Sequence, residues 1–171
     1  MPVALRLFLL ACATLIAGTA CSHYHLGTEA KLTFRTVYVE PVANKTHLPQ
    51  SQAIVSTQLR ETLARDGRLE LVASPAEADA TLTVVINDYH RDVAAVREGD
   101  TGLARKFNVV LGATCTLRDN RTQKNLFEQR IVTATREIFT DGGQLQAEYQ
   151  VLPLLAAALS EKIAHAALDV W

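Results

Sequence analysis

Between Phe107 and Leu117 the chain alternates. Phe107, Val109, Leu111, Ala113, Cys115 and Leu117 interleave with Asn108, Val110, Gly112, Thr114 and Thr116. A period of two over eleven residues predicts a strand with one face in a core and the other mostly polar. Asp119 to Thr122 is a turn cluster, and Phe127 to Ile138, rich in Val, Ile and Thr, returns as the second arm of a hairpin. Upstream, Leu82, Val84 and Ile86 alternate with Thr81, Thr83 and Val85, predicting a strand over 80–91. The link from Val93 to Lys106, with Gly99, Asp100 and Gly102, is expected to be a mobile hairpin tip. Lys31 to Val42 is β-branched and aromatic and reads as a first strand, ended by Pro41; Leu69 to Val72 reads as a short one.

Two segments change period. Over 49–65, Ile54, Val55, Leu59 and Leu63 fall near one helical stripe, with Asp66 and Gly67 as the stop. From Gln144, residues Val151, Leu155, Ala158, Leu159, Ile163, Ala167 and Val170 recur at helical spacing, and Pro153 should kink this helix or mark where its regular part begins. Each helix has one apolar stripe and each strand one strongly apolar face. The stable arrangement is an α+β two-layer sandwich, with two helices on one face of a mostly antiparallel sheet of about four to five strands. The other sheet face carries Thr, Asn, Val85 and Val110, and is either wet or covered by something else.

The first twenty residues follow none of these patterns. Arg6 precedes the uncharged run Leu7 to Ala20, shorter than the roughly 20 apolar residues of a comfortable bilayer span. A basic start, an apolar middle and small Gly18 and Ala20 at the end lay out an export signal, so residues 1–20 are read as a signal peptide and 21–171 as one periplasmic domain. Cys21 follows the cut. Its thiol is the expected lipid attachment site, although an ordinary peptidase would also accept this bond. The bacterial lipoprotein signal resembles this layout, except that Gly18 stands where that pattern usually has an aliphatic residue. Ser22 after the cysteine resembles the sorting arrangement for the outer membrane. Acyl chains contribute about 0.8 kcal/mol per buried methylene and tether a protein without a spanning helix.

Charge removes some functions. Of 17 basic and 18 acidic residues, Arg6 leaves with the signal, so 16 minus 18 gives a mature net charge of minus two. That balance offers no strongly basic footprint for nucleic acid. With Cys12 removed and Cys21 acylated, Cys115 has no partner; were Cys21 unmodified, a bridge between the two would be the rival. Nucleophile elbows, HExxH, paired CxxC and phosphate loops are missing from the sequence, and GDTGLARK at 99–106 only faintly echoes the last. No catalytic residue, metal or cofactor is expected. His23 and His25 flank Tyr24, but His47, His90 and His165 are scattered singly. Asn44 to Thr46 and Asn120 to Thr122 match a glycosylation acceptor that a bacterial export signal makes idle. The remaining candidates are Arg91, Arg97, Arg105 and Lys106 around the hairpin tip, either solvated rim charges or phosphate contacts, since guanidinium forks suit phosphate oxygens.

Several segments together resemble one family. Cys21 with Tyr24, His25, Leu26 and Gly27, then VYVEPVANKT at 37–46, LARDGRLELV at 63–72 and AEADATLTVVINDY at 76–89, are similar in order and spacing to the lipopolysaccharide-assembly lipoproteins of the LptE family. The resemblance implies two helices on a mostly antiparallel sheet, tethered by lipid at the periplasmic face of the outer membrane. It further implies a plug in the LptD β-barrel that assists barrel assembly and contacts lipopolysaccharide. A lipid-anchored periplasmic binding module for a small or cell-wall ligand is the alternative, using the exposed sheet face.

Overall fold

The computed structural model describes residues 32–48, 50–96, 104–139 and 143–168. The elements are β1 Thr36–Val39, β2 Ala43–Asn44, α1 Ser51–Asp66, β3 Glu70–Leu71, β4 Ala80–Val96, β5 Ala104–Asp119, β6 Asn125–Phe139 and α2 Gln144–Leu168. They form one six-stranded sheet in the order β3-β1-β4-β5-β6, with β2 also paired to β4. The long hairpins β4-β5 and β5-β6 are antiparallel, whereas β1-β3, β1-β4 and β2-β4 are parallel. The α+β class stands, with a mixed sheet and one strand more than the upper end of the expected four to five.

The extra strand has a local cause. Glu40 N–H donates to Leu82 O at 3.0 Å and Lys45 N–H to Ile86 O at 2.8 Å, so the chain keeps following β4 beyond β1. Pro41 has no N–H to give, and the line breaks into two short strands at that point. Asn44 then turns the chain: its Oδ1 accepts from Thr46 N–H at 2.9 Å and Thr46 Oγ1 at 2.8 Å, while its Nδ2 donates to Leu48 O at 2.8 Å. This Asx turn leads directly into α1. Gly67, at φ 73°, takes the left-handed position that ends α1, as the sequence predicts.

The core lies between the sheet and the helices. Val55, Leu59 and Leu63 of α1 and Val151, Leu155, Leu159, Ile163 and Ala167 of α2 are buried with Leu82, Val84, Ile86, Val109, Leu111, Ala113, Cys115 and Leu117. The face assignment of β5 from its alternation holds. Val37 and Val39 point into this core and Tyr38 away from it, and Phe34, lying before β1, is buried too. Helix α2 runs through Pro153, which is exposed, so the proline sits inside a helix that begins at Gln144. An eighteen-residue window of α2 has a mean hydropathy of 1.4, enough for a bilayer, but 56% of it is buried in the domain, as befits a core helix.

β4 and β5 reach further than their patterns suggest, to Val96 and from Ala104, so part of the expected tip is strand. The pairing of β4 with β5 shifts between Ile86 and Asp88. A bulge at Asn87 swaps the faces there: beyond it Tyr89, Arg91 and Val93 stand opposite the core residues Leu111, Val109 and Phe107, while Asp88, His90 and Asp92 turn to the open face. Gly112 sits beside this bulge, where an added Cβ would come within 3.0 Å of Asp88 Cβ. A side chain there would push the bulge outward.

Candidate functional site

Among the described residues, no helix covers the second face of the sheet. Along β4 and β5 it presents Thr81, Thr83, Val85, Thr114, Thr116 and Arg118, in register across the hairpin. At the end away from the hairpin tip the face deepens into a recess of about 780 Å³, open to solvent, between the β3–β4 loop and the β5–β6 turn. Glu40, Thr81, Thr83, Thr116, Arg118 and Gln123 are among the polar residues that line it. The walls are tied together. Thr83 Oγ1 donates to Glu40 Oε2 at 2.7 Å, and Thr81 Oγ1 donates to Asn120 Oδ1 at 3.0 Å. Asn120 Nδ2 donates to Ala78 O at 2.9 Å, and Arg118 hydrogen-bonds Gln123.

Carboxylates brace the same end. Asp79 Oδ2 accepts from the N–H groups of Arg35 and Thr36, at 2.9 and 3.2 Å. These two donors hold its carboxyl below the usual range, against the opposing effect of partial burial. Asp119 Oδ1 accepts from Arg121 and Thr122 N–H, and Thr122 N–H leads the causes that lower its pKa. The turn cluster Asp119 to Thr122 is thus a rigid rim for the recess.

The opposite end holds two of the predicted cations, Arg91 and Lys106. Arg91, turned to the helix side by the bulge, is engaged by Glu148 of α2. Tyr89 Oη and Gln144 Nε2 also donate to Glu148, at 3.0 and 3.1 Å. Burial, then the Glu148 carboxylate, push the Tyr89 phenol up to about 12. Lys106 pairs with Glu137 at 2.8 Å and lies 5.8 Å above the Phe139 ring. Arg105 is in β5, its side chain outside the described residues, and Arg97, Cys21, His23 and His25 lie outside them altogether. Between Asp88 and Asp92, His90 is held above its ordinary pKa, chiefly by the hydrogen bond to Asp88. Among the described residues, no group of three His, Cys, Asp or Glu side chains is placed to hold a metal ion. Cys115 is buried, and desolvation pushes its thiol up to about 12.

Sequence reasoning found the polar face but missed the recess, because its residues come from separate segments, Glu40, Pro75 to Thr83 and Thr116 to Asn125. The available signal was the row of threonines at every second position of β4 and β5.

Among the described residues, then, the chain is a two-layer α+β domain with one uncovered sheet face and an open polar recess at one end of it. No curated protein matches the chain. A protein from Xanthomonas campestris has this fold, with TM-score 0.60 at 10% identity over 81% of this chain and 86% of that one. A hypothetical protein from Chlamydia trachomatis gives 0.55 at 13% over 80% and 96%, and an uncharacterized lipoprotein B from Nitrosomonas europaea 0.54 at 17% over 84% and 86%. The family model described as LptE, lipopolysaccharide-assembly, matches residues 34–167. The chain therefore belongs to the LptE lipopolysaccharide-assembly family.

Proposed function

We propose that this chain is a lipid-anchored outer-membrane protein that sits in an LptD-type β-barrel as a plug, assists that barrel's assembly and takes part in placing lipopolysaccharide in the outer leaflet. The observation that carries the reading is the family match over residues 34–167. Membership in a lipopolysaccharide-assembly family, together with a face built for contact, supports action by fitting against a partner. Cys21 is the proposed acylation site and residues 21–171 the tethered domain.

The geometry supports a broad contact over capture of a small ligand. The recess opens to solvent and continues into the threonine rows of the sheet, so it suits the inner surface of a larger partner. Phosphates of lipopolysaccharide are the proposed ligands of Arg91, Arg97, Arg105 and Lys106. A phosphate reaching Lys106 would compete with Glu137, and one reaching Arg91 with Glu148. Such exchange favours transient contact during passage.

The test is affinity purification of the full chain from outer membranes in mild detergent at native expression. An LptD-type barrel should copurify in fixed ratio, and Cys21→Ser should move the chain to the soluble periplasmic fraction. Recovery of the chain alone would overturn the barrel reading, and unchanged membrane sedimentation of Cys21→Ser would overturn the tether.

A further inference from the structure

Among the described residues β6 is an edge strand with no partner beyond it, and its exposed positions have a symmetry that the barrel reading does not use. Thr133 O points away from β5, where Lys162 Nζ donates to it at 2.7 Å. Peptide groups along a strand alternate in direction, so those of Ile131, Thr133, Thr135, Glu137 and Phe139 all face outward. The pairing of β5 with β6 runs without a shift from Phe139 to Arg130, which keeps this parity intact. Side chains share the same parity. These five residues therefore lie on the open face, opposite Thr114, Gly112, Val110, Asn108 and Lys106.

Two of the five are large and apolar yet face water: Ile131 is 76% exposed and Phe139 62% exposed. They stand at equal distances either side of Thr135. Antiparallel pairing of this edge with an identical edge about a two-fold axis at Thr135 sets Ile131 opposite Phe139 twice, Thr133 opposite Glu137 twice, and Thr135 opposite itself. All are hydrogen-bonded positions by the parity above. On the helix side the same register continues the core, with Val132 opposite Ile138. Cross-strand aromatic and β-branched pairs are favourable in sheets, and a two-fold interface uses one patch on both copies.

Helix α2 leaves room for this arrangement. Lys162 over Thr133 and the bond from Arg130 Nη1 to Ala166 O show that α2 runs antiparallel to β6 along the edge. Thr135 lies about 7 Å beyond Thr133, a distance that α2 covers in about four to five residues, so Ala157 and Ala158 are the helix residues nearest the axis. Ala157 and Ala158 are small and half-buried, and Leu154, 57% exposed, lies one turn from Ala158 on one side with Lys162 on the other. Two copies of α2 would cross at alanines, with Leu154 against the partner's Lys162 stem.

We propose that a second copy of this chain docks on the β6 edge, joining two sheets into one through antiparallel pairing centred on Thr135. This is a state outside the barrel, and its test needs no barrel. Cα atoms of a hydrogen-bonded antiparallel pair lie about 5.5 Å apart, within the range of a disulfide. The full chain carrying Thr135→Cys, in its own membrane, should form a disulfide-linked homodimer under mild oxidation. Its yield should exceed that of Thr133→Cys or Glu137→Cys alone at least tenfold, with the parent chain as background. Coexpressed Thr133→Cys and Glu137→Cys copies should recover the cross-link, and adding Ile131→Lys to Thr135→Cys should reduce it at least tenfold. All these positions are exposed, so circular dichroism should match the parent's. Equal yields at the three single positions, no dimer from Thr135→Cys, or a cross-link to a different protein would each overturn the proposal.

Discussion

The face assignment of the sheet makes a quantitative demand on two adjacent residues of β5. Leu111 is fully buried, opposite Tyr89 of β4 and Ala134 of β6, while Val110 beside it points to the open face. Leu111→Ala removes three carbons, about 2.4 kcal/mol at roughly 0.8 kcal/mol per buried methylene. The site is in a central strand with α2 above it, so collapse is limited and a residual cavity adds to that figure. Measured Leu→Ala changes in such cores cost about 2 to 5 kcal/mol, and the upper half of that range is expected here. Val110→Ala is expected to cost under about 1 kcal/mol, since its side chain is only half-buried and lies outside the core. Urea unfolding followed by circular dichroism gives both, as a fall in midpoint at constant slope. Equal losses for the two variants, or an unshifted midpoint for Leu111→Ala, would refute the assignment of faces.

Three further outcomes follow from the contacts. Glu148→Ala should cost about 1 kcal/mol through the lost bonds to Tyr89, Arg91 and Gln144, with Arg91 free to turn into water, and hydrogen exchange should speed up in the first turns of α2 more than in α1. Asp79 and Asp119 have folded pKa values below their unfolded ones. The stability they supply is present above about pH 4, the unfolded aspartate value, and is lost as pH falls through the folded values; Asp79→Asn should flatten that acid limb in a pH series of urea midpoints. Cys115 should resist thiol reagents at pH 8 until the domain unfolds, then react at once, as mass shift after labelling would show.

How far the sequence foretold the fold differs from element to element. Phe107 to Leu117 was readable because β5 is central: both neighbours pair with it, and its alternate residues from Val109 to Leu117 are fully buried. α1 was readable because a clean stripe ends at Gly67. β2 was not, since two residues beyond a proline carry no period, and only the line of bonds to Leu82 and Ile86 reveals it. The bulge at Asn87 was the larger loss. It shifts the pattern by one residue, so Tyr89 and Arg91 meet Glu148 on α2, out of phase with the alternation of Leu82, Val84 and Ile86. The recess rests on contacts between residues some forty apart, such as Thr81 with Asn120 and Thr83 with Glu40, which no local spacing encodes. Asn44 and Thr46 stood out as an acceptor motif without a modification to serve, and the fold uses them as the turn before α1.

The proposed central role of the domain is to hold a barrel partner in its working form. Depleting this chain from its own cells and following the LptD-type barrel on gels, heated and unheated, tests it most directly. The account predicts that the compact, heat-modifiable barrel band disappears and that newly made lipopolysaccharide fails to reach the surface. A barrel that folds normally, with lipopolysaccharide exported at the parental rate, would contradict it.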